Sequence, residues 1–213
     1  SYGDLRQQVS NKIKSDIPVV LYYAFDWGTR VGPFVGPDIW MPNCGIRSVG
    51  GALYEAGFSN TRIVFGPWNP NFDAGKARIN GKVPEVFGVG SMQIHETDAH
   101  EKIRQAHRLG GERSLIIAGG PHANYQAWDF FYREEGKSVD VAVRGEQYVT
   151  LSLMDRILDY KGKNETMLQG FERAKKEGGL EDVKGLMYMD PDRDVLVDTG
   201  QQSIVADLDE LPR

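Results

Sequence analysis

Apolar residues fall along this chain in two kinds of cluster. The first kind is a short run, rich in β-branched residues: Val19–Ala24, Arg62–Phe65, Val86–Met92, Leu115–Ala118 and Val139–Val143. Runs of that length, closed by glycine or polar residues, predict strands buried on both faces. The second kind spaces its apolar residues three or four apart. Leu5, Val9 and Ile13 do so in Asp4–Lys14, and Ile46, Val49, Leu53 and Ala56 do so up to Gly57. Ala99, Ile103, Ala106 and Leu109 repeat the pattern after Thr97 or Asp98, either of which suits an N-cap. Leu151, Met154, Ile157 and Leu158 mark one face of Tyr148–Tyr160. These four segments predict amphipathic helices, and a shorter helix is expected over Tyr125–Arg133.

Strand and helix thus alternate five times over residues 18–160, inside an α/β unit of residues 18–163. Such alternation predicts a parallel sheet with helices on both faces and right-handed crossovers. The expected fold class is α/β: a flavodoxin- or Rossmann-like, doubly wound, five-stranded parallel sheet with a C-terminal β-hairpin extension. The commonest order, 2-1-3-4-5, places a ligand crevice at the carboxyl ends of strands one and three. Residues 1–17 form an N-terminal helix ahead of this unit. Residues 164–213 read as a helix over Phe171–Glu177, a hairpin of Leu186–Met189 and Val195–Val197, and an acidic extended linker, Asp207–Pro212. Asp26–Gly45 is a long loop carrying Trp27, Phe34 and Trp40, and its aromatics favour an ordered segment.

The strand ends supply the candidate chemistry. Asp26 and Gly28 follow the first strand, and Ser91, Met92 and Gln93 end the third. Gly119, Gly120 and Pro121 end the fourth, in S-L-I-I-A-G-G-P-H. Gly145 and Glu146 end the fifth, in V-D-V-A-V-R-G-E. Glycine at such an end either serves a tight turn or lets a flat ligand lie against the backbone.

Composition removes several classes. A net charge of −5 with no basic run argues against a nucleic-acid partner. The single cysteine, Cys44, excludes a disulfide framework and any multi-cysteine cluster within the chain; it reads as a small residue packed near a turn. No signal sequence or spanning stretch is visible, so a cytoplasmic protein without membrane contact is expected. No phosphate-binding P-loop occurs. Gly88-Val-Gly90 lacks the third glycine of a dinucleotide fingerprint and lies on the wrong strand. No G-x-S-x-G elbow surrounds Ser91. His100 and His107 share a helix face, while His95 and His122 follow neighbouring strands and could meet on the rim. Two histidines without a carboxylate such as Glu96 in place make no metal site, so no metal ligand is expected.

Taken in order, S-M-Q-I-H, I-I-A-G-G-P-H-A, D-V-A-V-R-G-E-Q-Y-V-T-L, G-L-M-Y and D-L-D-E-L-P resemble the amino-terminal half of cobalamin-dependent radical S-adenosylmethionine proteins. The resemblance covers about residues 18–213. It implies a cobalamin-binding domain that works with its own C-terminal radical domain. The 4Fe-4S cluster and S-adenosylmethionine would belong to that domain, which is missing from this chain, so the chain is not expected to be catalytic alone. The family's methyl-transfer or radical chemistry would belong to the full-length protein. By the resemblance, Ser91 would meet the base of the cobalamin tail, and Gly119 and Gly120 would admit its ring. Gly145 and Glu146 would border the ribose or corrin amides. Asp26, Gly28, Met92, Gln93 and Pro121 complete the implied cofactor-binding set. Methionine-synthase-type domains carry D-x-H-x-x-G after strand one; this chain reads Asp26-Trp27-Gly28-Thr29-Arg30-Val31-Gly32, so cobalt would lack a lower histidine ligand. The alternative is a cofactor-free docking or structural module, with Trp27, Phe34, Trp40 and Trp68 filling the slot. A flavodoxin-like enzyme for a small phosphorylated substrate is a third reading.

Overall fold

The computed structural model describes residues 1–29, 44–109, 113–131, 138–190 and 192–203. A seven-stranded sheet runs in the order β2-β1-β3-β4-β5-β6-β7. Its strands are β1 (Val19–Tyr23), β2 (Thr61–Phe65), β3 (Val86–Gly90), β4 (Leu115–Gly119), β5 (Val141–Val143), β6 (Leu186–Met189) and β7 (Leu196–Asp198). The first five pair in parallel, in the predicted 2-1-3-4-5 order. The C-terminal hairpin does not stand apart. β6 pairs antiparallel with β5, Ala142 opposite Met187, and β7 adds to β6. The molecule is therefore a Rossmann-like α/β fold whose mostly parallel sheet is extended at one edge.

Period-2 alternation sorts each strand's side chains between two cores. Leu21 and Tyr23 of β1, Ile117 of β4 and Val143 of β5 face one side. There they meet helices α1 (Tyr2–Lys12), α2 (Cys44–Glu55), α5 (Gln147–Tyr160) and α6 (Met167–Lys176). Val20, Tyr22, Phe87, Val89 and Ala118 face the other side, against α3 (Glu96–Ala106) and α4 (Gly120–Gln126). Both faces are covered, which explains why the strands carry apolar runs with no polar alternation.

Three details depart from the sequence expectation. α4 begins at Gly120 and continues as a 3-10 turn over Ala127–Phe130, whereas the helix was expected from Tyr125. Pro121 lies in the first turn, where its fixed φ and missing N–H cost nothing. α3 begins at Glu96, one residue after a 3-10 turn over Gln93–His95, so neither Thr97 nor Asp98 caps it. Asp98 instead accepts hydrogen bonds from the Tyr22 hydroxyl (2.8 Å) and the Phe25 backbone N–H (3.0 Å). Lys102 lies 3.6 Å from the other carboxylate oxygen, donates to the Phe72 carbonyl and covers the Tyr22 ring. Desolvation, with Asp98 second, drives the Tyr22 pKa far up, so its phenol stays a donor. This buried network ties α3 to the end of β1. Cys44 is exposed at the first turn of α2, not packed. Most of the Asp26–Gly45 loop, with Phe34 and Trp40, and all of Asp207–Pro212 lie outside the described residues, as do Gly110 and Gly111.

Candidate functional site

A cavity of about 390 Å³ opens at the carboxyl end of the sheet. It lies on the face covered by α2 and α5, and its origin can be read residue by residue. Strand register sets Tyr23, Gly90 and Gly119 side by side in one row, with Leu21, Gly88 and Ile117 in the row beneath. Three of these six positions carry no side chain. At Gly88 the vacated space is taken by Leu21, whose Cδ2 would sit 2.7 Å from an added Cβ. At Gly90 and Gly119 it stays open. A Cβ on Gly90 would meet nothing nearer than 3.8 Å, and one on Gly119 nothing nearer than 3.9 Å. Two adjacent glycines on one face of paired strands thus form a trough in the sheet. Ile46, Val49 and Leu53 of α2 and Thr150 and Met154 of α5 wall it in.

Polar residues also enter the wall, Ser48, Asn124, Glu146, Gln147 and Thr150 among them, and one further polar side chain there is buried without a partner. Ser91 is fully buried at the end of β3 and lines the cavity, and its Oγ has no hydrogen-bond partner. The Ser91 backbone is fixed on both sides: its N–H donates to the Gly119 carbonyl (3.3 Å), and its carbonyl accepts from the His122 N–H (3.0 Å). An unsatisfied buried hydroxyl costs free energy, so Ser91 is an exception among the buried polar groups beside the cavity.

The other rim glycines have structural reasons. Gly120 takes φ +85°, and a Cβ there would press on the Ser91 backbone at 3.0 Å. Its role is the strand-to-helix turn. Gly145 takes φ +137°, and a Cβ would strike the Gln202 side chain at 2.7 Å and Val149 at 2.8 Å. The Gly145 N–H donates to the Asn124 side chain (3.0 Å), which locks the β5 turn to α4. Both glycines still contribute backbone to the cavity wall.

The sequence-predicted residues therefore divide. Ser91, Gly119, Gly120, Pro121, Gly145 and Glu146 come together around the cavity. Asp26, Gly28, Met92 and Gln93 do not line it. Asp26 is spent locally: its carboxylate accepts from the Gly28 N–H (2.9 Å), and its own N–H donates to His95 Nδ1 (3.1 Å). Sequence reasoning missed Gly90, although Gly88-Val-Gly90 held the signal, two glycines two apart on one strand face. It also missed Asn124 and the helix walls. Cys44 lies at the cavity mouth. Trp27 and Trp68 are 45% and 57% exposed, stacked edge-on against Phe25 and Phe65, so neither plugs the slot.

The four histidines are also placed. His95 is buried against Phe25. His107 bonds the Ser138 carbonyl through Nε2 (2.6 Å). His122 stands edge-on to His100, with ring centroids 6.4 Å apart.

No protein-family model matches the chain, and no curated protein does. Among solved structures, the chain is similar to the cobalamin-dependent S-adenosylmethionine radical enzyme OxsB, determined with aqua-cobalamin and S-adenosylmethionine bound. The TM-score is 0.55 at 14% identity, over 88% of this chain. The match spans 23% of the enzyme's own length, so the chain corresponds to one part of a much larger protein. Among the described residues no helix is long and apolar enough to cross a membrane. At that identity the likeness establishes the fold alone, a Rossmann-like α/β architecture.

Proposed function

We propose that this chain is a cobalamin-binding domain that takes the nucleotide tail of the cofactor into the cavity beside Ser91. The observation that carries this reading is the trough made by Gly90 and Gly119, capped by a buried hydroxyl without a partner. A slot with apolar helix walls and a few polar residues at its rim suits a flat heteroaromatic base with an acceptor or donor on its edge. The likeness to a cobalamin-dependent enzyme supports the same reading.

Bound cobalamin would supply methyl-group or cobalt-centred radical chemistry to a partner radical domain. This chain's own residues bind and orient. The Ser91 Oγ would hydrogen-bond the edge of the tail base. Gly119, extended at φ −152°, would let the base ring lie on the β4 backbone. Ile46, Leu53 and Met154 would exclude water from its other face. Asn124, by holding the Gly145 turn to α4, would keep the cavity mouth in one shape. Asp26, Gly28, Met92 and Gln93 stay on the rim outside the cavity; if they touch the cofactor, it is through its corrin portion.

The test is a titration of purified protein with hydroxocobalamin and with methylcobalamin, followed by desalting and visible spectroscopy. The expected result is retained cobalamin near one per chain, with a base-off spectrum, since the tail base would sit in the slot and no histidine would replace it. Loss of all colour on desalting would replace this reading with that of a docking module for a radical domain.

A further inference from the structure

We propose that Glu96, His122 and Asp129 form a site for one divalent transition-metal ion of the zinc class, on the sheet face opposite the cavity. The site follows from how two short segments pack. His122 lies in the first turn of α4, Asp129 in the 3-10 turn after it, and Glu96 is the first residue of α3. The side chain of His122 is completely buried, packed on Phe130 at 4.7 Å between ring centroids. Its Nε2 lies 3.1 Å from the Asp129 Oδ2. One carboxylate oxygen of Glu96 completes a trio of ligand atoms that all fall within 4.8 Å of one another.

A hydrogen-bonded His–Asp pair is ordinary. Here two carboxylates from different segments lie beside one fully buried imidazole. An ion on Nε2 would replace the present Nε2···Asp129 hydrogen bond, with the ring proton carried on the buried Nδ1, which has no hydrogen-bond partner. One imidazole nitrogen and two carboxylate oxygens are a common donor set for zinc-like ions, and two negative charges offset a dication. Ligand bonds of about 2.0–2.1 Å require the trio to tighten slightly, and Glu96 is exposed, on a long side chain free to move inward. His100, one turn along α3, shares the face of Glu96 and flanks the His122 ring.

Such an ion would clamp α3 to α4. Because the His122 N–H holds the Ser91 carbonyl, it would also brace the Gly120–Pro121 turn that walls the cavity from behind. The site does not depend on the cofactor reading.

The test uses the full chain, free of affinity tags, stripped with chelator and without cobalamin. Cobalt(II) is titrated by visible absorption and zinc(II) by calorimetry, and melting is followed with and without zinc. The expected result is one ion per chain at micromolar affinity or tighter, with a raised Tm. Glu96→Gln and Asp129→Asn, which leave the buried core intact, should each weaken binding at least about tenfold, the size that loss of outer-shell partners alone produces. Their metal-free Tm should match that of the parent. No saturable binding, or binding unchanged in both variants, would overturn the proposal.

Discussion

Gly119→Val separates the cavity's role in binding from its role in folding. Gly119 is extended, at φ −152° and ψ −173°, a conformation open to any residue and well suited to valine. Its Cβ would meet nothing nearer than 3.9 Å. The added side chain enters a space of about 390 Å³. Three newly buried carbons contribute about 2 kcal/mol at about 0.8 kcal/mol each, an upper value because the packing around them stays partial. The fold should therefore be unharmed or stabilised, with Tm unchanged or raised by up to about 8 °C for a chain of this size. Cobalamin should respond in the opposite sense. Three carbons in the path of a flat ring displace it, and a loss of at least about 100-fold in affinity, or about 2.8 kcal/mol, is expected. Gly120→Ala is the contrasting control. It must hold φ +85° with its Cβ 3.0 Å from the Ser91 backbone, so it should lose about 1–2 kcal/mol of stability whatever binds. Differential scanning calorimetry and cobalamin retention after desalting read the two quantities separately. Wild-type cobalamin affinity in Gly119→Val would refute the placement of the tail. A strongly destabilised Gly119→Val would show that the trough is not the open space described.

Ser91→Ala removes a buried hydroxyl without a partner, so it should leave Tm unchanged or raise it slightly while weakening cobalamin about tenfold, measured by equilibrium titration. Asp140→Ala should destabilise by about 3 kcal/mol in urea unfolding, because its buried carboxylate takes both Arg113 amino groups (2.8 Å each) and the Ile116 N–H. Asp198 is a predicted acid-sensitive point: burial raises its pKa, but the Gly200 N–H and Arg144 outweigh this and hold it below its ordinary 3.8. Its contribution is therefore present above pH 3.8 and lost as pH falls through the depressed value, so hydrogen exchange should show β7 losing protection over that range while β3 and β4 keep theirs, a pH dependence that Asp198→Asn abolishes. A uniform loss of protection across the sheet would refute that assignment.

Hydrophobic patterning carried most of the fold. Five apolar runs and four helical periods were enough for the parallel sheet and its two helix layers, because each signal is local and burial on both faces leaves the strands no polar alternation; the strand order came from the commonest topology of such units, not from the pattern. The carboxyl-end rim was legible for the same reason: Ser91, Gly119 and Gly145 mark where strands stop. What those residues do was not legible, since it depends on neighbours distant in sequence. Gly119 opens a cavity only because strand register sets it beside Gly90. Gly145 is required by Gln202, more than fifty residues on. Asp98 looks like a helix cap until the Tyr22 hydroxyl is packed beneath it. Sequence position left His95 and His122 free to meet on the rim; packing sets His100 of α3 beside His122. The hairpin of residues 186–198 reads as an appendage, and only pairing of Ala142 with Met187 makes it part of the sheet. The sequence alone thus determined the elements and their layering, through periodicity and turn residues. Tertiary structure decided which glycines leave space and which polar groups find partners, because those are properties of contacts between segments rather than of any segment by itself.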